Sequence, residues 1–132
     1  MGDKEKEGGV VLFSFGYKYG TPVDVNLLLD MRCLPNPYWV EELRPKTGQV
    51  AEVAAYVLES ERGRALLEKI TPALEMLVQQ HVVEDGRILR IGVGCTGGRH
   101  RSVAVVESLG QHFSDRGAQL TLFHRDIHRD DP

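Results

Sequence analysis

Apolar positions fall in short blocks whose period switches between that of a strand and that of a helix. Val10 to Phe15 is a short β-branched and apolar run closed by Gly16, and Leu27 to Arg32 is a second one closed by Pro35. Both patterns predict buried strands. Val50, Val53, Ala54, Val57 and Leu58 then keep i, i+3, i+4 spacing, with Thr47-Gly48 as a start, and predict a helix. A second helix is predicted from Ser60 to about Val82, with Leu66, Ile70, Leu74, Leu77 and His81 on one face. Gly63 should weaken its first part, and Pro72 should kink it or start a turn. Asp85-Gly86 reads as a turn, Ile88 to Val93 as a strand, Ser102 to Arg116 as a helix capped by Gly117, and Leu120 to Phe123 as a last strand. Alternating strands and helices imply an α/β fold. The expectation is a single three-layer domain over residues 10–129, with a mostly parallel sheet of about four strands and ligand loops at the carboxyl ends of those strands. Residues 1–9, charged and without periodicity, read as a flexible leader, and 130–132 as a tail.

Composition narrows the function classes more than the fold. The 132 residues are 42% hydrophobic, 27% charged and 7% aromatic, within the ordinary globular range. No apolar run approaches the length of a membrane span, and no signal layout opens the chain, so the expected address is the cytoplasm. Two cysteines, Cys33 and Cys95, without metal-ligand spacing, suit a reducing compartment; no cofactor and no metal is expected. With 16 Lys and Arg against 19 Asp and Glu, the formal charge of -3 argues against coating nucleic acid through bulk charge. A local basic patch remains open.

The candidate chemistry collects where predicted strands end. Four polar clusters share that address: Ser14 to Gly20, Asp30 to Tyr38, Cys95 to Ser102, and His124 to Asp126. The third is the sharpest. A strand runs into Gly94-Cys-Thr-Gly-Gly-Arg-His-Arg-Ser102 and straight on into a helix. Gly97 and Gly98 let backbone N–H groups turn inward, the helix start presents more of them, and Arg99, His100 and Arg101 add positive charge. That is an anion cradle, suited to phosphate, with a merely tight turn carrying solvated arginines as the plainer reading. Ser102 either joins the cradle or caps the helix. Lys18, Arg32, Arg44, His124 and Arg125 are further cations at the same address, each equally able to pair on the surface. Asp24, Asp30 and Asp126 would bond sugar hydroxyls or an amine, or pair with neighbouring arginines. Asn36, between Pro35 and Pro37, sits in a rigid loop, and Tyr38 and Trp39 offer ring faces to a sugar or base or anchor that loop. His81 and His112, on helix faces, are expected to be structural.

The stretches SFGYKYG, DMRCLPNPYW, LRPKTG, GCTGGRHRSV and HRD, in that order from Val10 to about Arg129, resemble the C-terminal domain of RapZ-type proteins, the nucleotide-binding RNase adapters. The resemblance implies an α/β fold, self-association and a pocket for a phosphorylated amino sugar, glucosamine 6-phosphate, using Thr96, Gly97 and Arg101. Enterobacterial members also bind small regulatory RNA and present it to an endoribonuclease. This sequence departs from the family at three points. It carries no GxxxxGKS loop of the preceding kinase-like domain, so a stand-alone module is expected. Tyr38 replaces the histidine that enterobacterial members carry after Asn-Pro. Its end contains three aspartates, Asp126, Asp130 and Asp131, where RNA-binding members have a basic tail, which weakens RNA binding. A phosphorylated small molecule and a second copy of the chain are therefore the expected partners, with a regulatory protein or RNA as further ones and no membrane.

The same loop also satisfies the C-x5-R-S spacing of cysteine-dependent phosphatases. That chemistry would use Cys95 as thiolate nucleophile, Arg101 to hold phosphate oxygens, and Asp30 or Asp126 as the acid. Gly94 in place of the usual preceding histidine weighs against it, as does the lack of a Trp-Pro-Asp-like loop. A phosphate-binding regulatory domain is the leading expectation; the RNA adapter and the phosphatase are the alternatives.

Overall fold

The computed structural model describes residues 9–129; the expectations for a leader over 1–8 and a tail over 130–132 lie outside the described residues. Four strands, β1 (Gly9–Gly16), β2 (Leu27–Asp30), β3 (Ile88–Cys95) and β4 (Leu120–His124), form one sheet in the order β2-β3-β1-β4. Every neighbouring pair is parallel. The helices are α1 (Ala51–Leu58) and α2 (Glu61–Leu77), which join β2 to β3, and α3 (Arg101–Asp115), which joins β3 to β4. The α/β class, the parallel sheet and the sequence of elements agree with the apolar pattern, to within a residue or two at most ends.

Local chemistry sets the helix boundaries. Ser60 ends α1 and starts α2, its hydroxyl accepting the Gly63 N–H at 3.0 Å. Gly63 is required there, because a Cβ would stand 2.2 Å from the Val57 carbonyl. Pro72 lies inside α2 on its exposed side without ending it. The hydrogen bond that proline forfeits is on the solvent side, where water can satisfy the carbonyl. The helix instead loosens downstream, into a π-helical stretch over Val78–Glu84. Gly117, at φ +82°, follows α3 as the sequence predicts.

The helices all pack against one face of the sheet. Val10, Leu12, Leu89, Ile91 and Val93 alternate onto that face and share a core with Val57, Leu74, Val82, Val105, Val106, Leu109 and Phe113. Each such fully buried side chain contributes about 1.5–3 kcal/mol. The expected third layer is absent among the described residues, so the domain has two layers. On the other face Phe13 stacks on Phe123 at 4.9 Å, and Phe15 meets Tyr17 edge-on at 4.9 Å. Gly92 and Gly94 of β3 make room for those rings; a Cβ on Gly94 would come within 2.5 Å of Phe15. The aromatic side chains thus cover part of the face that a helix was expected to cover.

Register brings the strand ends level. Gly16 lies opposite Cys95, Asp30 opposite Gly94, and His124 opposite Ser14. The four polar clusters therefore begin at one end of the sheet, the end at which parallel α/β folds bind ligands.

Candidate functional site

The glycine loop between β3 and α3 is wedged against the end of β1. Gly98 adopts φ +76°, and a Cβ there would stand 2.6 Å from the Gly16 nitrogen, so only glycine fits. Gly97 faces the other way: a Cβ on it would meet nothing within 4 Å. Its backbone is open to a cleft of about 710 Å³. Lys18, Thr96, Arg99, Arg101, Asn36, Tyr38, Trp39 and Arg44 are among its lining residues, and no Asp or Glu is, among the described residues.

The arginines of the loop are struts as well as charges. Arg101 is the first residue of α3 and only 6% exposed, rather than a loop residue. Its Nη1 donates to the carbonyls of Arg32 at 2.9 Å and Leu34 at 3.4 Å, and Nη2 to the Thr96 hydroxyl at 3.5 Å. Its Nε is buried and has no partner among the described residues. A buried guanidinium nitrogen left unsatisfied is costly. Arg99 donates from Nη1 to the Ile127 carbonyl at 3.1 Å and from Nη2 to the Pro45 carbonyl at 3.0 Å. His100 is buried, with Nε2 3.0 Å from the Arg44 carbonyl. Burial pushes its pKa down, and Arg99 and Arg101 add to that, so the ring is neutral at pH 7.

A second wall comes from the loop after β2. Asn36 accepts the Tyr38 N–H at 3.1 Å and caps a one-turn helix over Pro37–Trp39. Arg44 bonds the Tyr38 carbonyl at 2.6 Å and lies 4.8 Å above its ring. Trp39 meets Tyr38 edge-on at 5.2 Å and is 74% exposed. Gly48 fixes this segment on the glycine loop, since a Cβ would be 2.3 Å from the His100 carbonyl. The LRPKTG stretch was the sequence signal for this wall.

Other predicted site residues lie elsewhere. Ser102 is fully buried, inside the first turn of α3; its hydroxyl is 3.1 Å from Cys95 Sγ and its N–H is aimed at the same sulfur at 3.4 Å. It therefore does not cap the helix; His100 occupies that position without a side-chain bond. Arg32 binds Asp30 through two nitrogens, Nη2 at 2.7 Å from Oδ2, and stacks 4.1 Å over Tyr17. His124 is wedged between the Ser14 hydroxyl at 2.8 Å and Glu107 at 2.7 Å. Arg125 and Arg129 both bind the fully buried Asp126, which also accepts the Gly16 N–H at 2.7 Å. Asp24 pairs with Arg90 at 3.4 Å.

These pairings bear on proton donation. The Arg32 guanidinium holds Asp30 below the usual carboxylate range. Burial pushes Asp126 up, but Arg125, Arg129 and the Gly16 N–H outweigh it and hold the carboxyl low. Both are ionised at neutral pH and have no proton to give a leaving group. His81 reaches the Ile88 carbonyl at 3.1 Å and His112 reaches Glu75 at 3.0 Å, ordinary roles as expected. No helix among the described residues is long and apolar enough to cross a membrane.

The chain is similar to known proteins over most of its length. The family described as the RapZ C-terminal domain matches residues 9–128. A nucleotide-binding protein of Streptomyces coelicolor is 43% identical over 129 residues, covering 98% of this chain and 43% of that protein. One from Thermobifida fusca is 47% identical over 117 residues, covering 89% of this chain and 40% of that protein. One from Desulforapulum autotrophicum is 46% identical over 119 residues, 90% of this chain and 41% of that protein. The chain thus spans about two fifths of the length of these curated relatives.

Proposed function

The chain belongs to the RapZ C-terminal domain family, and on that premise we propose that it is a cytoplasmic regulatory domain that binds a phosphorylated small molecule in the glycine-loop cleft. Glucosamine 6-phosphate is the ligand that the family resemblance implies, and the naming of the relatives as nucleotide-binding proteins is compatible with a phosphate-bearing ligand. Occupancy is passed to a partner or to the chain's own state of association.

The observation that carries this reading is Arg101. It is a buried arginine at a helix start, with an unpartnered Nε, beside a glycine whose backbone is open to a cleft edged by Lys18, Arg44 and Arg99. The phosphate would rest on Thr96 and Gly97 with Arg101 behind it. Calorimetric titration with glucosamine 6-phosphate and with inorganic phosphate at low salt tests the reading. Saturable binding of both is expected, and no heat from either would overturn it.

A further inference from the structure

We draw no further inference here: the strongest candidate, the sheet face turned away from the helices, where Leu28, Ile88 and Phe123 are exposed, is an apolar face on which nothing in the structure shows what covers it.

Discussion

Two arginine clusters stand at the same end of the sheet and behave differently. After β4, Arg125 and Arg129 close on Asp126, a carboxylate fully buried against the Gly16 N–H that offsets part of their charge. After β3, Arg101 rests on neutral carbonyls, those of Arg32 and Leu34. Carbonyls hold a guanidinium in place without neutralising it. The first cluster is a clasp that ties the last described turn to β1; in the second, Arg101 keeps its charge at the wall of a cleft. Similar side chains at the same topological address become a fastening or a site according to whether a counter-charge is supplied.

The largest effect should come from the clasp. Asp126→Asn leaves two guanidinium groups without their anion and should cost about 2–3 kcal/mol, measured by denaturant unfolding. Ligand affinity should stay within about threefold of the parent; a drop matching that of cleft variants would show that the two clusters are one unit. Arg101→Lys should weaken a phosphorylated ligand about 10- to 100-fold by calorimetry, because lysine loses the forked donor while keeping the charge. It should also lower stability, by about 1–2 kcal/mol, since the Arg32 and Leu34 carbonyls lose their donor. Unimpaired binding in this variant would place the anion elsewhere.

The neighbouring glycines divide the two roles more finely. Gly98→Ala meets both a positive φ and the β1 backbone, and should destabilise by about 1–3 kcal/mol. Gly97→Ala meets open space, so its stability should change by less than about 0.5 kcal/mol while ligand affinity falls. Reversal of that order in paired melting and binding measurements would contradict the assignment of Gly97 to the cleft.

The smallest effect is in the pH profile. His100 has its pKa lowered below the ordinary 6.5, so the unfolded chain takes up the proton first. Stability present above 6.5 should therefore decline as pH falls through the lower folded value. Asp30 and Asp126 are also lowered, below 3.8, and their contribution should be lost only as the pH falls from there through their folded values. His100→Asn should flatten the first decline and leave the second. A profile identical in parent and variant would remove His100 from the account.

The elements were legible because β1, β3 and α3 keep clean periods and are bounded by Gly16, Asp85-Gly86 and Gly117. One-sided helix packing was not, because Val10 to Phe15 is apolar on both faces and reads like a strand covered twice; the rings of Phe123 and Tyr17 shield the second face instead. The common address of the four clusters could be read from the chain, but their sorting could not. The pairings that decide it, such as Gly16 with Asp126 and Ser14 with His124, each join residues 110 positions apart. Arg44 carried a basic signal and Trp39 an aromatic one, yet their convergence on Tyr38 comes from a turn set by Asn36 and Pro37.

The account stands or falls on where a phosphate group settles. Backbone amide shifts of the labelled chain, recorded while glucosamine 6-phosphate is added, test that most directly. The account predicts saturable shifts centred on Thr96, Gly97 and Arg101, with smaller ones at Arg125–Arg129. Shifts centred on the Asp126 clasp with a silent glycine loop, or no saturable shift at all, would contradict it.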